Sequence, residues 1–250
     1  MISGHIGIRN AYRDERVARE YIGNRFVEPL GALLHARQVG AVRRALAARR
    51  VERVLEIAPG PGRLTVDVMP AIERRGARAV LVEASAQMLA EARVRLDDPR
   101  CCRLVQGDAF NLPLGPVFDL VYVFRLIRHF RAAERGAIYR QIATVMKPGA
   151  TLIFDAVNET VSAPLRANAS AGEYEHYDAL MRPEQLDQEL ADAGLDLVAL
   201  DGVQHRYPAL ARLQTLVAPR SRLLARAAME LIDRFAGGRP LEWIVTCRRL

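Results

Sequence analysis

Apolar positions along this chain follow two rhythms, and they change near residue 51. Upstream, Val17 and Tyr21, then Leu30, Leu33 and Leu34, then Val39, Val42 and Leu46 recur at spacings of three and four. That period predicts helices over residues 11–26 and 29–49. Pro29 suits a first helical turn, and the Arg49-Arg50 pair places positive charge at the negative pole of the second helix. Downstream, short β-branched runs alternate with amphipathic stretches. Residues 51–58 (VERVLEIA), 77–83, 101–107, 116–124 and 150–157 read as strands. Residues 62–76, 85–96 and 131–146 read as helices, with Ser85 as an N-cap and Pro70 expected to kink the first. The strands are apolar throughout rather than alternating, as in a parallel sheet covered on both faces. The order β, α, β, α, β, β, α, β predicts an α/β, doubly wound fold with a mostly parallel seven-stranded sheet.

The remainder completes that picture. Residues 158–180 lack a period and read as a loop over the carboxyl edge of the sheet. Residues 182–194 predict a helix with Pro near its start and Gly at its end. A strand over 195–203, one or two helices within 206–238 and a closing strand over 241–249 follow. The division expected is an N-terminal helical lid over 1–50 and a main domain over 51–250, with covering insertions at 158–180 and 206–240.

Composition narrows the class. Half of the residues are hydrophobic and 26% are charged, with 17 Gly and 13 Pro, which removes collagen-like and disordered classes. No apolar run approaches the roughly 18 residues of a membrane span, and the first residues lack a secretory pattern. Three Cys, two of them adjacent, form neither a disulfide framework nor a zinc spacing, so no metal is expected and a reducing cytoplasm is the simplest compartment. The formal net charge is +7, but only Lys147 is a lysine. Residues 1–50 hold ten Arg against four acids, 51–205 hold 17 basic against 22 acidic residues, and 206–250 hold nine Arg against three acids. No basic run with interleaved aromatics accompanies the basic ends, so solvated helix faces are favoured over a nucleic-acid partner.

Candidate chemistry gathers where strands end. Residues 56–62 (EIAPGPG) join the first strand to the first helix of the repeat, where small residues and free amides admit a ligand. A dinucleotide fingerprint would require Gly where Thr65 stands, so that cofactor class is disfavoured. Glu83 ends the second strand, where an acid accepts hydrogen bonds from ribose hydroxyls. Asp108 follows the third strand, placed either for a base amine or for a local Asx-turn. Asp119, in the fourth strand, is grouped with these strand-edge acids.

The segments EIAPGPG, LVEASAQML, QGDAFNLP, FDLVYVF and MKPGATLIFD, in this order over residues 51–157, resemble the class I S-adenosylmethionine-dependent methyltransferases, nearest to the ubiquinone and menaquinone biosynthesis branch. The resemblance implies S-adenosyl-L-methionine as cofactor. It implies Glu56, Ala58, Gly60 and Gly62 along the methionine half, with Ala58 standing where the family usually has its first glycine. It further implies Glu83 on the ribose, Met88 against the adenine, Asp108 and the Ala109 amide at the adenine amine, and Phe124 between the methionine and the acceptor. In FRLIRHF, residues 124–130, His129 would serve as general base and Arg128 would clamp an anionic acceptor. Adjacent helical residues diverge by about 100°, which favours His129 toward the acceptor. His176, Tyr177 and His205 are weaker candidates, and Tyr12, Tyr21 and Arg25 would belong to the lid.

The function expected is methyl transfer to a small-molecule acceptor, by O- or N-methylation with C-methylation as a further option, on a secondary metabolite, quinone or lipid-like compound. Two rivals stand beside it. One is an RNA or protein methyltransferase, disfavoured because Phe124-Arg-Leu-Ile replaces an N-P-P-Y-like sequence. The other is a non-catalytic binding subunit, disfavoured by the intact acids at 56, 83 and 108. The oligomeric state is not legible.

Overall fold

The computed structural model describes residues 28–97, 101–169, 177–235 and 237–250. In chain order the elements are α1 (Pro29–Ala48), β1 (Arg53–Ile57), α2 (Arg63–Arg74), β2 (Arg78–Glu83), α3 (Ala86–Leu96), β3 (Cys102–Gln106) and β4 (Phe118–Val123). A single 3-10 turn (Ile127–His129) leads to α4 (Ala132–Val145) and β5 (Met146–Asn158). Then come α5 (Glu159–Ala167), β6 (Leu180–Met181), α6 (Pro183–Ala191), β7 (Leu195–His205), α7 (Tyr207–Leu216), α8 (Arg222–Phe235) and β8 (Pro240–Arg249).

One sheet runs β3-β2-β1-β4-β5-β8-β7, with the two-residue β6 paired to the end of β5. The neighbours from β3 through β5 are parallel, and β8 is antiparallel to both β5 and β7. Strand order reverses between β1 and β4, because the chain winds outward to β2 and β3 before returning to β4. In open α/β sheets such a reversal opens a crevice at the carboxyl ends of the two strands.

Each strand has alternate residues on opposite faces, and both faces are covered. Leu55, Ile57, Val121 and Val123 pack with Ile138, Ile142 and Val145 of α4 on one face. Val54, Leu120 and Tyr122 pack with Leu46 of α1 and Leu64, Val68 and Ile72 of α2 on the other. That is why β1 and β4 read as mostly apolar rather than alternating runs. The buried stripes of α1 and α2 are the three-and-four spacings of the sequence read as a helix face.

Several details depart from the sequence reading. Residues 158–180 contain α5, capped by the Asn158 side chain, which accepts from the Thr160 N–H at 3.1 Å. The helix was hidden by its own Pro164 and by a nearly patternless buried side. Helix α2 continues through Pro70. The Arg49 guanidinium does not serve the end of α1; it donates to Gly149 O, Asp119 O and Thr151 Oγ1, tying α1 to β4 and β5. Ser85 caps α3 as expected, accepting from Met88 N–H at 3.3 Å. The lid expected over 1–50 falls partly on residues 1–27, outside the described residues; α1 itself lies against the core.

Candidate active site

The segment after β1 carries left-handed backbone at Ala58 (φ 53°), Gly60 (φ 58°) and Gly62 (φ 76°), with prolines between. Gly62 is the N-cap residue of α2. At Gly60 a side chain would meet no atom within 4 Å, so the turn faces open space and its backbone is approachable. Ala58 holds the same kind of conformation with a Cβ, at an intrinsic cost of about 1–2 kcal/mol. Its N–H donates to Val82 O at 2.8 Å, which fastens the turn to β2.

Glu83 supports the turn from the neighbouring strand. Its Oε2 accepts from Gly60 N–H at 3.0 Å and its Oε1 from Ser85 N–H at 2.9 Å. Burial raises its pKa, opposed by the backbone donors at Ser85, Gly60 and Ala84. Each carboxylate oxygen has a second lone pair, so the group still has acceptor capacity toward the cavity it borders.

That cavity, of about 600 Å³, opens over the carboxyl ends of β1, β2 and β4. Glu83, Met88, Asp108 and Ala109 line one part, Ala58 and Gly60 the middle, and Phe124, Arg125, Leu126 and His129 another. Asp108 Oδ1 accepts from Phe110 N–H at 3.1 Å, so the Asx-turn is formed by a residue that also borders the cavity. Met88 is buried on α3 and touches the same space.

Glu56 is placed differently. It is not among the cavity-lining residues. Its Oε2 accepts from Thr65 Oγ1 at 2.6 Å and from Tyr122 OH at 2.9 Å, beneath the turn. Complete burial pushes its carboxyl up to about 7, against the lowering effect of those two hydrogen bonds. Thr65, the residue that breaks the dinucleotide fingerprint, is therefore one of the donors to this buried acid. Gly62 likewise shapes the start of α2 without bordering the cavity.

The segment after β4 divides its residues as the sequence geometry requires. Arg128 turns into the protein. Its Nε and Nη2 donate to the two oxygens of Asp178 at 2.9 and 3.2 Å, and its Nη1 donates to Glu242 Oε1 at 2.8 Å and Asp155 Oδ2 at 3.3 Å. Arg166 also reaches Asp178, at 2.8 Å, and Arg125 reaches Glu242, at 3.2 Å. Burial disfavours the Arg128 charge, but Glu242, Asp155 and Asp178 outweigh it and keep the guanidinium protonated. The reading of Arg128 as an acceptor clamp is thus corrected: its donors are engaged by three carboxylates, and the residue does not border the cavity.

His129 does border it. Its Nδ1 lies 3.0 Å from Tyr177 O and 3.1 Å from Asp178 Oδ1. Two acceptors on one ring nitrogen place the proton on Nδ1 and leave Nε2 as the basic atom. Burial raises the Asp178 pKa, but the His129 hydrogen bond, the Arg128 charge and the Arg166 hydrogen bond hold it far below the usual carboxylate range. Asp178 is therefore a fixed anion behind the imidazole.

Other candidates do not join this group. Asp119 sits at the opposite edge, accepting from Glu52 N–H, Arg53 N–H and Lys147 Nζ; it is the second residue of β4, and a parallel strand's first residues lie away from its carboxyl end. His205 pairs with Asp233 beside α8. Tyr177 contributes its carbonyl rather than its phenol. His176, Tyr12, Tyr21 and Arg25 lie outside the described residues. Sequence reasoning missed Asp155, Asp178 and Glu242. Asp155 carried a signal, being an acid inside the apolar run of β5. Asp178 and Glu242 carried none, since their partner is remote in the chain.

A family model described as a methyltransferase domain matches residues 54–149. Among curated proteins, a ubiquinone biosynthesis O-methyltransferase of Rhizobium rhizogenes is 28% identical over 170 residues, covering 63% of this chain and 66% of that protein. The corresponding protein of Methylococcus capsulatus is 24% identical over 171 residues, covering 64% and 68%. Among solved structures, magnesium protoporphyrin IX methyltransferase from Synechocystis PCC 6803, with bound S-adenosylhomocysteine, superimposes with a TM-score of 0.69 at 14% identity, covering 98% of this chain and 100% of that one. Residues 54–149 thus match a methyltransferase domain, and the chain is similar to S-adenosylmethionine-dependent methyltransferases. Its cofactor is S-adenosylmethionine, and the methyltransferase has the features that group requires: an open left-handed turn, an acid with spare acceptor capacity beside it, and a cavity that continues past both.

Proposed function

We propose that the methyltransferase transfers the methyl group to a hydroxyl oxygen of a small-molecule acceptor lodged against Phe124, Leu126 and His129. Nitrogen is the next candidate atom and carbon a further option. The observation that supports this reading best is the imidazole of His129, which borders the cavity with Nδ1 engaged by Tyr177 O and Asp178 and with Nε2 left as acceptor. The relatives named for ubiquinone biosynthesis O-methylation point to the same acceptor class. A cavity of this size is in the ordinary range for small-molecule sites.

The division of labour in the cavity follows from its chemistry. Glu83 would accept from the ribose hydroxyls. Asp108 and the Ala109 N–H would take the adenine edge, and Met88 would pack on its face. Ala58 and Gly60 would offer backbone to the methionine half, with Glu56 and Gly62 holding that turn in shape. The bound cofactor supplies an already electrophilic sulfonium methyl. The protein's task is then mostly to align the acceptor oxygen with the carbon–sulfur bond. When a hydroxyl acceptor is methylated, its proton would pass to His129 Nε2. Asp178 would stabilise the resulting imidazolium.

The test is turnover by His129→Ala. The variant should lose about 10²- to 10⁴-fold in kcat, the usual contribution of a general base, with the cofactor Kd unchanged. Full turnover by this variant would show that no base at this position takes part.

A further inference from the structure

Helices α7 and α8 form an insertion between β7 and β8. The chain leaves the sheet at His205 and returns at Pro240, and these two residues are register partners. Strand β8 is antiparallel to both β5 and β7, so β7 runs parallel to β5 and the insertion stands on the carboxyl edge, the edge that bears the cavity.

One side of α8 is committed to the protein. Ala225 and Met229 pack with Leu33 of α1 and with Leu210 and Ala218. Glu230 and Asp233 are held by Arg37, at 2.8 and 3.1 Å. The adjoining part of the same apolar arc faces solvent. Leu224, Ala228, Leu231 and Phe235 follow one another at spacings of four, three and four, which is a single stripe along a helix. Leu224, Leu231 and Phe235 are 65%, 60% and 72% exposed, and elsewhere in the insertion Leu216 and Leu223 are 60% and 79% exposed. Five of the ten large apolar side chains exposed among the described residues thus lie between residues 216 and 235. Scattered apolar residues on a surface need no explanation, but a contiguous set does.

The charge around this stripe is one-sided. Between Arg206 and Arg239 the chain holds seven arginines and two acids, and both acids are the ones engaged by Arg37. Arg234 lies over the Phe235 ring, 5.3 Å from its centroid. A second copy of the chain docking here would bring its own arginines against these. An anionic lipid surface answers both features. Leucine and phenylalanine side chains enter the boundary between headgroups and acyl chains, and arginines meet the lipid phosphates.

We propose that the outer face of α8, with Leu216 and the surrounding arginines, docks the protein onto anionic phospholipid membranes, with the cavity-bearing edge toward the bilayer. This is peripheral attachment by an amphipathic surface, and it does not depend on the identity of the acceptor. No helix among the described residues is long and apolar enough to cross a membrane.

The test is co-sedimentation of the full-length protein with phosphatidylcholine vesicles, with and without phosphatidylglycerol. The wild type should bind the anionic vesicles at least tenfold more tightly than the neutral ones, and less at high salt. The double variant Leu224→Glu, Leu231→Glu changes two solvent-facing positions, so it should keep its circular dichroism spectrum and cofactor affinity while losing at least tenfold in vesicle binding. Absence of binding to anionic vesicles, or equal binding by the folded double variant, would overturn the proposal. A stable dimer in sedimentation velocity that the same two substitutions dissolve would also overturn it, by assigning the face to a second copy.

Discussion

Glu56 offers a quantitative test of how the turn is built. Its carboxyl is fully enclosed beneath residues 58–62, accepts from Thr65 and Tyr122, and has a pKa raised from 4.5 to about 7, chiefly by burial. The sign follows from linkage. Below pH 4.5 the group is protonated in both folded and unfolded chains and contributes no difference. As pH rises toward 7, the unfolded chain ionises first, so folding loses stability, and the loss is complete once the folded carboxyl has ionised. At about 1.4 kcal/mol per pKa unit, the full effect is about 3 kcal/mol, most of which develops between pH 5 and pH 8. Glu56→Gln removes the titration while keeping the side chain's size and an acceptor oxygen for Thr65 and Tyr122. Urea unfolding of the cofactor-free protein at pH 5 and pH 8 measures it. The wild type should lose about 2–3 kcal/mol more than Glu56→Gln over that interval. Parallel pH dependence in the two proteins would refute the reasoning, because it would mean that Glu56 titrates in the folded chain as it does in water.

Three further outcomes follow from the site. Glu83→Ala should raise the S-adenosylmethionine Kd at least tenfold by calorimetry, since hydrogen bonds to a charged group contribute about 1.5–3 kcal/mol each; an unchanged Kd would mean that the ribose is held elsewhere. Arg128→Met should cost about 3–5 kcal/mol in urea unfolding, because it leaves Asp155, Asp178 and Glu242 without their shared cation; a loss under about 1 kcal/mol would contradict the buried cluster. Ala58→Gly should be neutral or stabilising by up to about 1 kcal/mol, since glycine relieves the left-handed strain but adds backbone entropy to the unfolded chain; clear destabilisation would contradict the conformation at that residue.

The parts of the fold that could be read from the sequence are those where neighbours in sequence decide the outcome. β1 and β4 are apolar on both faces because α1 and α2 cover one and α4 the other, so the run itself announces a sandwiched strand. Ser85 caps α3 by a bond three residues away, and the prolines and glycines of residues 59–62 mark a turn that must be left-handed. What escaped depends on pairings across the chain. Arg128 looked free because Asp178 and Glu242 lie 50 and 114 residues away, and only the assembled sheet brings β8 beside β5 to meet it. Asp119 was grouped with the ligand-bearing acids because an acid beside an apolar strand looks alike at either end; the direction of β4 decides which edge it serves. Glu56 looked like a cavity residue, but it is the last position but one of β1, and its side chain points beneath the turn toward Thr65 and Tyr122. Residues 206–238 were expected to hold one or two helices, and the exposed half of the α8 apolar arc escaped because a sequence period reports that a helix has an apolar side, not how much of it the fold covers.

Methyl transfer to a small molecule can be followed directly in one measurement. The protein is incubated with S-adenosylmethionine carrying a labelled methyl group and with fractionated cell extract, and the label is followed into low-mass organic-soluble, RNA and protein fractions. Label is expected in the low-mass fraction, lost or strongly reduced with His129→Ala. Label in RNA or protein, or no transfer to any fraction by protein that binds the cofactor, would contradict it.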